Sequence, residues 1–123
     1  MEQLILHLVG DFVLQSDWMA RNKVKRLWPA IVHAAVYSLP FFLIGSLPAV
    51  SVIFATHLVI DRYRLVRYLI WLKNWLGPGQ RPWAECSETG FHNSTPEWLA
   101  VWLMIIVDGS LHLICNYCAL RWL

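Results

Sequence analysis

Pro48-Ala-Val-Ser-Val-Ile-Phe-Ala-Thr-His57-Leu-Val-Ile-Asp61-Arg62 is an apolar run interrupted by one histidine and one aspartate, four residues apart. That spacing puts both side chains on one face of a helix. A charged group inside a membrane helix costs about 3 kcal/mol on insertion scales, and more in simulations. The pattern nevertheless recurs. His7 with Asp11 lies upstream, Asp108 with His112 lies downstream, and His33 stands in the one remaining apolar segment. Repetition of the same residue types at the same spacing points to a shared polar site.

The rest of the chain supports a membrane setting. Its 123 residues are 58% hydrophobic, above the roughly 45–50% of a soluble domain. The expected fold is all-α, a multipass membrane bundle of about four helices forming one domain over residues 1–123. The helices are expected at about 2–20, 29–44, 48–76 and 95–120, with a polar loop at 77–94. Pro29 suits a first helical turn, Gly45-Ser46-Leu47-Pro48 a tight turn, and Gly77-Pro78-Gly79 a stop. Ser94-Thr-Pro-Glu97 reads as a capping box. The first helix carries the stripe Gln3, His7, Asp11 and Gln15; it either spans or re-enters the membrane, with spanning preferred. This stretch does not read as a cleaved signal peptide.

Charge sets the orientation. Residues 21–28 and 62–96 hold nine of the ten lysines and arginines, so the positive-inside rule makes that side cytoplasmic. Trp18, Trp28, Trp71, Trp75, Trp83 and Trp98 cluster near the same boundary and Trp122 near the other, as in an aromatic belt. The net charge of +2 gives no ground for nucleic-acid binding. Expected partners are membrane lipids, with a homo-oligomer or a larger membrane complex left open. Cys86, Cys115 and Cys118 do not suggest a disulfide framework, and Cys115-Asn-Tyr-Cys118 reads better as helix packing than as a thiolate site. His92 is expected to be solvated in the polar loop, which also makes the glycosylation pattern Asn93-Ser-Thr accidental.

A rise of about 1.5 Å per residue puts Asp11 roughly 14 Å, His33 roughly 8 Å, Asp61 roughly 10 Å and Asp108 roughly 16 Å from the cytoplasmic boundary. Side chains at these depths can meet in one cytoplasm-facing pocket. His7, Asp11, His33, His57, Asp61, Asp108 and His112 form a pool of metal ligands. The mixture suits zinc, manganese or iron better than calcium. Seven candidates exceed the four donors of one zinc, so some would bridge two ions or orient the ligands from behind. Two other readings stand beside the metal: a proton or ion pathway, and hydrogen-bonded glue between helices worth about 0.6 kcal/mol per contact. Asn116 continues the stripe of His112 and Tyr37 that of His33; either supports the site or simply packs. Arg64, seven residues after His57, is a candidate for holding a phosphate, against a plain role as a headgroup anchor.

The stretch His7-Leu-Val-Gly-Asp-Phe-Val-Leu-Gln15-Ser-Asp-Trp-Met-Ala, with Thr56-His-Leu-Val-Ile-Asp-Arg-Tyr63, resembles a family of small bacterial and phage membrane proteins classed as domain of unknown function 3307. The resemblance covers nearly the whole chain and implies no activity. In motif style alone, the repeated His/Asp pairs also look like predicted membrane-bound metal-dependent hydrolases of bacterial inner membranes. That similarity implies a metal-dependent hydrolase in the inner membrane; the membrane location, not the similarity, suggests a lipid or phosphoester substrate at the cytoplasmic side. Asp11, Asp61 and Asp108 would be its candidate catalytic carboxylates. The competing expectation is a non-enzymatic membrane protein with a His/Asp polar core, serving an ion pathway, a structural role or an interaction.

Overall fold

A computed structural model describes residues 1–123 and is all-α, without strands. Its α-helices are α1 (Glu2–Leu8), α2 (Asp17–Asn22), α3 (Leu27–Ser38), α4 (Leu47–Tyr63), α5 (Leu65–Trp75) and α6 (Glu97–Trp122). The chain divides into two compact units: residues 1–63 with 112–123, and residues 64–111. α6 has 26 residues and is long and apolar enough to cross a membrane. Leu27–Leu43 is a shorter apolar helical run.

The stretch expected as one helix over 2–20 is broken. α1 runs directly into a π-helical turn at Val9–Val13, where the Leu14 N–H donates to the Val9 carbonyl at 2.9 Å. The Gln15 amide donates to the Asp11 carbonyl at 3.0 Å. Ser16 then turns extended and caps α2, its hydroxyl accepting the Met19 N–H at 3.3 Å. The helical run 2–13 is about 18 Å long, short of a hydrocarbon core about 30 Å thick.

The helix expected over 48–76 is also broken. Arg64 is left-handed, at φ 50° and ψ 49°, which separates α4 from α5. That conformation is unfavourable for a residue with a Cβ. It is held by the Arg64 guanidinium, which donates to the Glu88 carbonyl at 2.9 Å. After α3, Pro40 brings no N–H to the helical ladder, and the chain tightens into a 3-10 turn at Leu39–Leu43. Ser46 opens α4, its hydroxyl accepting the Ala49 N–H at 3.2 Å.

The apolar core of the first unit is Tyr37, Phe41, Val50, Ile53 and Ala119, with Leu6 and Leu120 against it. The π-helical turn and α3 approach closely at Gly10. A Cβ there would stand 2.6 Å from Tyr37 Cδ2 and 3.2 Å from Tyr37 Cα, so only glycine fits this contact. In the second unit, Trp83 stacks on Tyr68, Arg67 lies over Trp83, and the Trp71 indole donates to the Arg81 carbonyl at 3.0 Å.

Candidate metal centre

The pairing read from the sequence is real on α4. His57 and Asp61 face the same way, and His57 Nε2 lies 3.3 Å from Asp61 Oδ2. α3 brings His33, whose Nε2 is 3.0 Å from His57 Nε2 and 3.1 Å from Asp61 Oδ2. The π-helical turn brings Asp11, whose Oδ1 is 3.3 Å from His33 Nε2 and 3.4 Å from His57 Nε2. Wide turns of this kind are frequent at functional sites.

These distances test the fit of a metal. Four donors about 2.0–2.2 Å from one tetrahedral ion stand about 3.3–3.6 Å from each other. Five of the donor–donor separations are the 3.0–3.4 Å just given, and all four atoms lie within 4.8 Å of one another. The donor set, two imidazoles and two carboxylates, is one that zinc accepts. Asp11 Oδ1 is buried, and its nearest partners are the imidazole nitrogens at 3.3 and 3.4 Å rather than a well-formed hydrogen bond. A cation at the centre of the four donors would satisfy it.

Each carboxylate turns its second oxygen outward to another histidine. His7 Nδ1 lies 3.4 Å from Asp11 Oδ2, and His112 Nε2 lies 3.2 Å from Asp61 Oδ1. The seven candidate ligands therefore divide. Asp11, His33, His57 and Asp61 converge on one point, His7 lies behind Asp11, and His112 lies against the other oxygen of Asp61, close enough to serve as a ligand as well. Asp108 lies on α6, one turn before His112, within the second compact unit.

Tyr37 and Asn116 support the site. Tyr37 is fully buried and its ring stacks on His57, with centroids 3.6 Å apart. Its hydroxyl accepts from the Asn116 amide at 2.7 Å and pairs with His7 Nδ1 at 2.9 Å. The Nδ1 atoms of His33 and His57 are buried without a hydrogen-bond partner. Packing orients these two rings, rather than the hydrogen bonds that usually hold metal-ligating histidines.

Sequence reasoning missed Lys23, which read as one more basic anchor at the cytoplasmic boundary. Its ammonium donates to Asp61 Oδ2 at 2.6 Å and lies 3.1 Å from His33 Nε2. Its signal was only a place directly after the first polar stripe. Arg62, next to Asp61, donates to the Val24 carbonyl at 2.5 Å and so secures the turn that carries Lys23. The helical spacing that put Arg64 on the face of His57 assumed an unbroken helix. The chain leaves helical geometry at Arg64, whose guanidinium goes to the Glu88 carbonyl. His92 is tied down, with Glu85 Oε2 at 2.9 Å from Nε2 and Ser94 Oγ at 2.6 Å from Nδ1. The three cysteines are free.

No curated protein and no solved structure matches this chain. A family profile described as "Protein of unknown function (DUF3307)" matches residues 1–119, nearly all of the 123. The chain therefore belongs to the DUF3307 family.

Proposed function

We propose that this chain is a multipass protein of the bacterial inner membrane whose cluster of Asp11, His33, His57 and Asp61 binds one divalent metal ion, zinc before manganese or iron. The observation that carries the reading is the convergence of the four donors, five of whose six separations are 3.0–3.4 Å. Membrane location is supported by the inverted distribution of side chains. His7, His33, His57, Asp61, His112 and Asn116 are buried, while Phe12, Leu43, Leu47, Trp102, Ile106 and Ile114 are exposed. Soluble monomers rarely show contiguous apolar patches beyond a few hundred Å². Only 11% of the most apolar window of α6 is buried, unlike the core helix of a soluble protein. Trp28, Trp98 and Trp122 are exposed near helix ends, where interfacial tryptophans belong. The basic residues of 21–28 and 62–96 face the cytoplasm in this reading, and α1 with its π-helical turn enters the membrane without crossing it.

The reaction class is hydrolysis of an ester in a lipid or lipid-linked phosphoester, a substrate that reaches a membrane cavity sideways. A metal ion supplies Lewis acidity and brings the pKa of water down to about 7. Asp11 and Asp61 hold their places because His7 and His112 engage their outer oxygens. Both would be committed as donors to the metal, which leaves water activation to the ion itself.

The test is elemental analysis of protein purified in mild detergent. Wild type should hold stoichiometric metal and His57→Ala should lose it. Absence of metal from wild type would refute the reading. One observation favours a second reading, a metal-free polar core that serves folding or contact with a larger complex: the Lys23 ammonium already neutralises Asp61. That reading expects Asp61→Asn to preserve function and chelators to have no effect.

A further inference from the structure

The metal reading gives Lys23 a role that neither lipid anchoring nor helix packing requires. We infer that Lys23 is the resident cation of the cluster, and that a metal ion must displace it to bind, so that a lysine-closed and a metal-loaded state exclude each other. The inference rests on the proposed metal site and concerns what controls access to it.

The exclusion follows from shared atoms. Asp61 Oδ2 is the oxygen that completes the tetrahedron with His33 and His57, and it is also the acceptor for Lys23 at 2.6 Å. The Lys23 ammonium lies 3.1 Å from His33 Nε2. A lysine ammonium has only donors, so where Lys23 donates to His33 it uses the Nε2 lone pair. A metal needs the same lone pair. Charge agrees with geometry. Two carboxylates balance one divalent ion, and an added ammonium in the same buried space would leave an unpaired positive charge.

The structure also shows which group can leave. His33 and His57 have no exposed side-chain surface and Asp61 has 7%, but Lys23 retains 19%. The three ligands are set on α3 and α4, whereas Lys23 follows the last residue of α2 in a turn. The Arg62 bond to Val24 secures that turn's backbone, leaving movement to the flexible four-carbon stem. A swing of that stem opens the site without unpacking a helix.

The consequence is a coupling between metal occupancy and the freedom of Lys23, equal in both directions by linkage. The test uses the full chain in mild detergent, with Co²⁺ and then Zn²⁺ as probes. Lys23→Met should bind the metal more tightly by about 5- to 150-fold, the usual span of such couplings. A second arm needs no variant. Wild-type protein is treated with an amine-acylating reagent, with and without metal, and modification is read residue by residue by mass spectrometry. Labelling of Lys23 should rise on metal loading, while Lys25 and Lys73 serve as internal controls. Equal affinities in wild type and Lys23→Met, or unchanged labelling of Lys23 in metal-loaded wild type, would overturn the inference and leave the metal centre standing. Failure of both proteins to bind metal would overturn the two together.

Discussion

Gly10→Ala is the sharpest test of how the site is assembled. The added methyl would sit 2.6 Å from Tyr37 Cδ2 and 3.2 Å from Tyr37 Cα. Carbon atoms prefer a separation of about 3.5–4.0 Å, so the approach to the ring is short by about 1 Å. Tyr37 cannot swing aside cheaply. Its ring is stacked on His57, its hydroxyl is tied to Asn116 and His7, and the methyl also presses on its backbone. The π-helical turn and α3 must therefore separate. Overpacking of this kind costs about 1–3 kcal/mol. The same displacement moves Asp11, one residue on, away from His33 on α3, so metal affinity should fall as well. The measurement is reversible denaturation in detergent of wild type, Gly10→Ala, Tyr37→Ala and the double variant. Because the clash is with Tyr37 itself, Gly10→Ala should cost much less in the Tyr37→Ala background, giving a coupling within the roughly 0.5–3 kcal/mol seen for residues in contact. An equal cost in both backgrounds, or no cost in wild type, would show that Gly10 does not set this interhelical approach.

Two further predictions probe the outer parts of the structure. His112→Gln should weaken metal binding by about 10- to 100-fold without abolishing it, the range for a residue that orients a ligand. A titration that shows no change, or a loss as complete as that of His57→Ala, would contradict its placement behind Asp61. At Arg64, Gly should be tolerated better than Ala in thermal melts. Both lose the bond to the Glu88 carbonyl, but only Ala keeps the left-handed strain, worth about 1–2 kcal/mol. The reverse order would refute the break between α4 and α5 as drawn.

Much of the helical content was legible from apolar periodicity and turn residues. The two breaks were not. The π-helical turn at Val9–Val13 leaves the His7–Asp11 spacing of four intact, so counting cannot reveal it. The left-handed turn falls on Arg64, an arginine rather than the glycine that ordinarily marks such a position. It is stabilised by a carbonyl 24 residues away.

The sequence by itself determined the all-helical class, the clustering of His/Asp pairs, and membership of the DUF3307 family. Those properties depend on local periodicity and residue type, which a chain displays directly. Only the tertiary structure separated the donors Asp11, His33, His57 and Asp61 from the supporting His7 and His112. That distinction depends on which of a carboxylate's two oxygens faces which helix, and the i,i+4 pattern is identical for both roles. Only the tertiary structure placed Lys23 on Asp61 Oδ2, across 38 residues of sequence. A basic residue beside a membrane boundary looks the same in sequence whether its flexible side chain reaches toward lipid headgroups or back into a buried cluster.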